Sequence, residues 1–366
     1  MKKYFRNLFA TAALVFTTLS FVAPVSCRLT NEGIEIMERD TTSPSIVDFS
    51  VTDEKFLMIK CSEQVVLTDA KVFQAEDFEE FEENEEAEIF ASATPVSYGY
   101  DGKSVAVKLS SPTEIGKKYV FSGKIFDASG NSLGFEQEFF GFNNCPARLI
   151  FSEIRNNYDY TKEKTEFVEF FVVKGGNLSG LEFFAASKNE KKKYGFPPID
   201  VKAGDFVTLH LQTIITKKNN PDKHIEKAFD ETSGDKNLSK SLESSEKAWD
   251  FWLSGSDKII SGKDILILRD SCSKKVKDIV LLTNKKDNAT PWSKKLSEYA
   301  KMAQESEIWS EGCDISTSIV LNSTTKSVSR TDLKALVEKY SESEDIPEFI
   351  PNSKENWTIA SPTPGF

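Results

Sequence analysis

The sequence predicts an all-β protein built from two β-sandwiches in tandem, the second carrying helical and loop insertions. Three observations lead there. Phe is frequent, at 28 residues, and the apolar runs are dotted with Val and Ile, a mix that favours strands. Apolar and polar residues alternate at a period of two, as in Val105, Val107 and Leu109. Turn formers separate these runs, as in "DASGN" at 127–131, a hairpin signal between two strand-like segments. A chain of 366 residues is long enough for two or three domains with cores of their own.

Composition narrows the function. With 39% hydrophobic and 28% charged residues the chain is ordinary globular material. A formal net charge of −11 argues against a nucleic-acid partner, which needs a basic stripe to displace counterions from phosphates. Only two histidines are present, which disfavours His-based catalysis and zinc chemistry.

Residues 1–26 read as an export signal: Lys2, Lys3 and Arg6 precede the uncharged apolar run "LFATAALVFTTLSFVAPVS". A membrane-spanning anchor is the alternative, because the run approaches the ~20 residues a span needs. Its threonines and serines, and the small residues at its end, favour cleavage. The body of the protein is then expected outside the cytoplasm, where disulfides are permitted.

The end of that run, Pro24, Val25, Ser26 and Cys27, resembles the lipobox of bacterial lipoproteins, with Pro24 standing where Leu is usual. The resemblance implies acylation of Cys27 and a membrane partner engaged through several lipid chains, which anchor more stably than one. The alternative is cleavage near Ala23 or Ser26 and a soluble secreted protein. Residues 27–43 are polar, show no clear strand or helix pattern, and read as a tether.

Residues 44–144 form the first expected domain, with strands in "SIVDFSVTDEKFLMIKCSEQVVLTDAKVF", "GKSVAVKLSS" and "KKYVFSGKIFDASGNSLGFEQEFFGF". The pieces "TTSPSI", "CSEQV" and "KKYVFSGKIFDASGNSL" resemble bacterial Ig-like domains of surface-layer and envelope proteins, which implies an Ig-like sandwich. Within it, the acidic insertion at 76–88 reads as a solvated loop, the sharper reading being cation capture or docking of a basic partner.

Residues 145–366 form the second expected domain. "TEFVEFFVV", "LSGLEFFAAS", "GDFVTLHL", "KDILILRD" and "VKDIVLL" read as half-buried strands. A helix is expected in "TPWSKKLSEYAKMAQESEIW", with Thr290 as cap and Pro291 in the first turn. Another is expected in "RTDLKALVEKY", where Leu333, Leu336, Val337 and Tyr340 share one face. Both read as packing elements.

This region resembles a lamin-tail domain, an Ig-like sandwich common in bacterial extracellular proteins. The pieces "LIFSEI", "EFVEFFV", "NLSGLEF", "VKAGDFVTL", "SVSRT" and "NWTIASPTPGF" occur in family order, with Ser152 where the family has Asn and with Glu153 and Ile154 in agreement. The excess length lies around the Pro291 helix and in the polar loop at 213–247; loops that long are often functional or disordered.

Chemistry-bearing residues are sparse. His210 falls on one face of a strand and His224 in the polar loop, neither with a companion at metal-ligand or triad spacing. No nucleophile elbow, phosphate-cradling loop or Cys-x-x-Cys occurs, and "NLSGL" lacks the elbow. Asp127, Ser129, Asn131 and Glu138 fall at calcium-loop positions, but Ser132 stands where that loop needs Gly, so a plain hairpin turn is preferred. After Cys27, four cysteines allow three pairings. Cys272–Cys313 is the favoured disulfide and Cys61–Cys145 the weaker one; isolated buried cysteines are the alternative.

The expectation is therefore a non-enzymatic, envelope-anchored binding or structural lipoprotein with a protein or glycan ligand. No cofactor, metal or nucleic acid is expected. The competing expectation is an extracellular hydrolase or its accessory module, since lamin-tail domains accompany secreted nucleases and phosphatases. It requires Glu153, Glu166 and Glu169 to face one cleft.

Overall fold

A computed structural model describes residues 26–30, 33–37, 40–75, 88–157, 166–212 and 248–365, apart from 254, 256, 287–289, 324, 341–346 and 348. The export signal, nearly all of the acidic insertion at 76–88, and the 213–247 loop with His224 lie outside the described residues. Among the described residues the protein is all-β, two sandwiches in series with two α-helices in the second.

Ahead of the first sandwich, strands β1 (Ser26–Thr30) and β2 (Gly33–Met37) pair antiparallel, with Cys27 opposite Ile36. The tether reading missed this hairpin. Its alternation is masked by charges at Arg28 and Glu35.

Seven strands follow: β3 (Ile46–Asp53), β4 (Phe56–Cys61), β5 (Val66–Gln74), β6 (Ile89–Tyr98), β7 (Ser104–Leu109), β8 (Lys118–Phe126) and β9 (Ser132–Phe140). Their order is β3-β4-β7-β6-β5-β8-β9. Strand β6 serves both halves. Ala91 and Ser92 pair with β5, while Ala93 to Tyr98 pair with β7, so the sheet folds over one core. Alternation fixes what enters it: Leu57, Ile59, Cys61, Val105, Val107, Leu109, Tyr119 and Phe121 all point inward. Phe49, Tyr119, Phe121 and Phe139 stack within it.

The second sandwich packs two sheets. One runs β17 (Ala248–Trp252), β16 (Phe206–His210), β11 (Phe167–Lys174), β10 (Arg148–Arg155), β21 (Ser327–Arg330), β22 (Trp357–Ala360). The other runs β14 (Tyr194–Gly195), β13 (Leu181–Ala185), β18 (Asp264–Asp270), β19 (Val276–Thr283), β20 (Ile319–Val320). The short pair β12 (Gly176–Asn177) and β15 (Asp200–Val201) completes the strands.

Strands β10, β11, β18 and β19 are buried on both faces, not on one as alternation suggested. Each outer face has a roof. Helix α1 (Lys294–Glu305) sets Leu296, Ala300 and Ala303 into the main core beside β18. Helix α2 (Leu333–Tyr340) lays Leu333, Leu336 and Tyr340 over Ile150, Phe171 and Val173. Val337, expected on that face, is exposed.

The α1 cap is Ser293, whose hydroxyl accepts from the Leu296 N–H at 3.3 Å, and not Thr290. Lys263 Nζ bonds the Thr290 carbonyl and hydroxyl and the Pro291 carbonyl, which holds that stretch outside the helix.

The two sandwiches touch closely. Gly116, at φ +83°, lies against Pro198 of the second sandwich, where a Cβ would sit 2.5 Å from the proline ring. Cys272, in the β18–β19 turn, packs against the core of the first sandwich.

Candidate functional site

The three glutamates do not share a cleft. Glu153 and Glu169 face each other across β10 and β11, while Glu166 points elsewhere. The Glu153 carboxylate accepts from the Ser327 and Ser329 hydroxyls and from the Thr363 N–H at 3.0 Å. Glu169 accepts from Ser152 Oγ at 2.8 Å, Thr208 Oγ1 at 3.3 Å and the Gly365 N–H at 2.5 Å. Together they hold the segment 363–365 onto the sheet.

Glu166 accepts from the Ile259 and Ile260 N–H groups at 2.7 and 3.2 Å and from Gln212, with Lys258 at 3.7 Å. It fastens the loop before β18. Burial pushes Glu169 up to about 8 and Glu166 up to about 7, and it raises Glu153 as well. All three carboxylates are occupied with the chain's own donors, and none lines the cleft described below.

His210 has a partner that spacing did not reveal. Its Nε2 lies 2.8 Å from Asp250 Oδ1, and its ring stacks on Trp252 at 4.1 Å with an interplanar angle of 15°. Parallel pairing of β16 with β17 brings them together, placing His210 opposite Trp252 and Thr208 opposite Asp250. The acid–ring–indole group is buried.

All four cysteines outside the N-terminal segment are free thiols, so neither expected disulfide is formed. Cys272 packs on the core of the first sandwich while Cys313 packs on that of the second. Cys61 is buried on β4, whereas Cys145 is exposed in the linker between sandwiches. Burial, reinforced by Asp270, pushes the Cys272 thiol up to about 12 and keeps it protonated.

The calcium-loop residues separate. Asp127 takes the Asn131 N–H and Nδ2, each at 2.7 Å, closing the hairpin turn. Glu138 sits opposite Val120, farther along the ladder, and pairs with Lys118 at 2.9 Å. Asp127 instead lies near Asp40 and Glu63, with carboxylate oxygens within 4.8 Å of one another.

The site that the sequence did not single out lies where the sandwiches meet. A cleft of about 390 Å³ is walled by Phe49, Ser50 and Val51 of β3, by Phe140 at the end of β9, by the linker at Phe142 and Asn143, and by the turns of the second sandwich. That volume is within the range of small-molecule pockets.

The "NLSGL" turn supplies one wall. Asn143 Nδ2 donates to the Asn177 and Ser179 carbonyls at 3.1 and 3.0 Å, and Asn177 Oδ1 accepts from the Ser179 N–H at 2.9 Å. Gly180, at φ +88°, turns the chain so that its carbonyl receives the Ser271 N–H at 2.7 Å. Ser179 and Ser271 are thereby fixed on the cleft wall. Ser179 is 4% exposed, and among the described residues neither hydroxyl has a hydrogen-bond partner. An unpaired buried hydroxyl costs about 1–3 kcal/mol.

Among the described residues, the charged lining is Arg148, Lys174, Lys277 and Asp270. The Asp270 carboxylate is committed to its own turn, accepting from the N–H groups of Cys272 and Ser273 and the Ser273 hydroxyl. A second groove of about 400 Å³ lies beside β9 and β13, where Lys118 pairs with Glu138, and Lys193 and Lys274 with Glu182.

A model for the second domain of the TP_1001 protein matches residues 147–359, more than half of the chain. The chain belongs to this TP_1001 second-domain family. The match takes in β10 through most of β22, and so the whole cleft wall contributed by the second sandwich. An uncharacterized protein of Treponema pallidum (strain Nichols) is 30% identical over 182 residues, covering 49% of this chain and 42% of that relative. The chain thus spans less than half the length of this curated relative.

Among solved structures, the N-terminal part of the bacterial S-layer protein SbsC aligns over 66% of this chain and 44% of its own, with 13% identity and a TM-score of 0.24. A DUF4876 family protein from Bacteroides thetaiotaomicron aligns over 56% and 62%, with 12% identity and a TM-score of 0.19. Among the described residues, no helix is long and apolar enough to cross a membrane.

Proposed function

We propose that this protein is a non-enzymatic binding or structural lipoprotein, displayed outside the cytoplasm by lipid on Cys27. The observation that carries the binding role is the cleft between two directly packed sandwiches, whose wall holds two hydroxyls, Ser179 and Ser271, without hydrogen-bond partners among the described residues. The glutamates that a hydrolase would need are spent on fastening the chain to itself. The anchored location rests on the sequence: a basic start, an uncharged apolar run and a cysteine after Val25 and Ser26. The lamin-tail and Ig-like resemblances agree with an extracellular display role.

Palmitate labelling and mass spectrometry of the mature N-terminus test the anchor. A diacylglyceryl-modified Cys27 is expected, with Cys27→Ser releasing the protein from the membrane fraction. An unmodified N-terminus at another residue overturns the lipoprotein reading and leaves a secreted protein.

A further inference from the structure

We infer that the end of the first sandwich farthest from the second is a membrane-contact surface. Its exposed tyrosines and valines lie at the headgroup level of the bilayer that holds the lipid on Cys27. The inference rests on the lipoprotein reading above and gives that anchor a second point of contact.

The first observation is where large apolar side chains stay exposed. Among the described residues of this sandwich they are Val47, Val66, Ile89, Val96, Tyr98, Tyr100 and Ile115. Ile89 and Ile115 lie toward the second sandwich, Ile89 opposite Phe73 and Ile115 beside Gly116. The other five gather at the opposite end. Val47, Val66, Val96 and Tyr98 sit on the outer rungs of β3, β5 and β6, and Tyr100, fully exposed, crowns the β6–β7 hairpin. The Tyr98 hydroxyl accepts from the Leu67 N–H at 3.4 Å, which brings its ring beside Val66. Clustered exposed apolar groups mark interaction surfaces, and tyrosine, with an apolar ring and a polar tip, suits a membrane–water interface.

The second observation is where the chain enters. Asp40 is at this same end: its carbonyl accepts from Asn131 Nδ2 at 3.0 Å, and its carboxylate lies within 4.8 Å of those of Glu63 and Asp127. Upstream, the β1–β2 ladder sets Cys27 opposite Ile36, which puts their Cα atoms about 5 Å apart. The peptide steps from Ile36 to Asp40 reach at most about 15 Å. Lipid on Cys27 is therefore within about 20 Å of the tyrosine-bearing end's entry point. Strand β8, running Lys118–Phe126, sets the junction with the second sandwich about 30 Å farther from the bilayer.

Charge makes the contact an apolar one. The end carries Lys60, Lys103 and Lys124 beside Asp40, Glu63, Asp101 and Asp127, so neither sign offers a strong attraction to charged headgroups. A zwitterionic bilayer is sufficient.

Hydrogen exchange of the lipidated full chain in phosphatidylcholine vesicles, compared with the soluble Cys27→Ser chain, tests the surface. Exchange is expected to slow several-fold at 64–67 and 98–103, and to stay unchanged at 114–117 and 142–143 beside the junction. The protection should persist at about 1 M salt, where screening acts within about 3 Å. The double variant Val96→Thr with Tyr100→Ser, in the lipidated chain, should lose most of it. Both residues are exposed, and an unchanged thermal midpoint will show that the fold is intact.

Equal exchange at 98–103 in the two chains, protection abolished by salt, or indifference to the double variant overturns the inference. Mass spectrometry of the same samples separates the two readings. A lipidated Cys27 with an unprotected end removes only the contact surface, whereas a Cys27 without lipid removes the anchor and the contact together.

Discussion

The two sandwiches are held together by different physics. In the first, the interior is almost wholly apolar: Thr113 and Asp127 are its buried polar residues among those described, and the centre is a cluster of stacked rings. The second buries glutamates, aspartates, arginines and a histidine. Helix α2, the segment 363–365 and other returning pieces roof its sheets, so side chains that alternation would send to water are enclosed. Every enclosed charge then has to be paired or neutralised. The lesson is that a sandwich roofed by its own chain gains fixed loops and walls, at the cost of sensitivity to pH and charge.

The largest expected effect comes from breaking a buried pair in the second sandwich. Arg330 Nη1 lies 3.8 Å from Asp278 Oδ2, both side chains being fully buried. Arg330→Met should cost about 3–5 kcal/mol by denaturant unfolding, because it leaves an uncompensated carboxylate inside. The matching lesion in the first sandwich is Phe121→Ala, which empties the ring cluster and should cost about 3 kcal/mol. Its cost should be the same at pH 5 and pH 8, whereas a pH-dependent cost would erase the contrast.

Titration separates the sandwiches next. Glu169 in the folded state holds its proton to about 8, and Glu166 to about 7, above the ordinary 4.5. Their folded-state values are raised, so their contribution to stability is full below pH 4.5 and is lost as pH rises through 7 and 8. The second sandwich should therefore weaken between pH 5 and pH 8 by on the order of a few kcal/mol. Glu169→Gln should flatten that slope, as seen in thermal unfolding across the range. The first sandwich should not respond.

Smaller effects come from the junction. Gly116→Ala forces a side chain into a left-handed backbone position and against Pro198, and should cost about 1–2 kcal/mol. It should also loosen the docking of the sandwiches, visible as faster hydrogen exchange near Pro198 and Cys272. Ser179→Ala should raise stability by about 1 kcal/mol in denaturant unfolding, since it removes a buried hydroxyl that has no partner among the described residues.

Much of this contrast is written locally, and some of it is not. Alternation places Val105, Val107, Leu109, Tyr119 and Phe121 correctly, and "DASGN" is the turn it resembles. The closing pieces of the second domain also meet as a unit. Trp357 Nε1 donates to Asn352 Oδ1 at 2.8 Å, and Asn352 and Arg330 both reach Asp278.

What escapes local reading is made by distant partners. Asp250 reaches His210 only through a parallel strand pair, although "AWDFW" does set an acid on alternate positions between two tryptophans. The roofs over the sheets, and so the burial of Glu153 and Glu169, depend on segments 210 and 196 residues away. Cys272 and Cys313 share a domain in the sequence but sit against different cores, which no count of cysteines can show. Ser179 was visible as a serine beside a glycine; its place on the cleft wall follows from the docking of the first sandwich.

The central claim is that the junction is one packed unit made by both sandwiches. Hydrogen exchange of the exported full chain with and without Gly116→Ala tests it most directly. The expected result is a simultaneous loss of protection at Ser50–Val51 in the first sandwich and at 178–181 and 271–273 in the second. Loss confined to one sandwich, or to hairpins away from the junction, would contradict it.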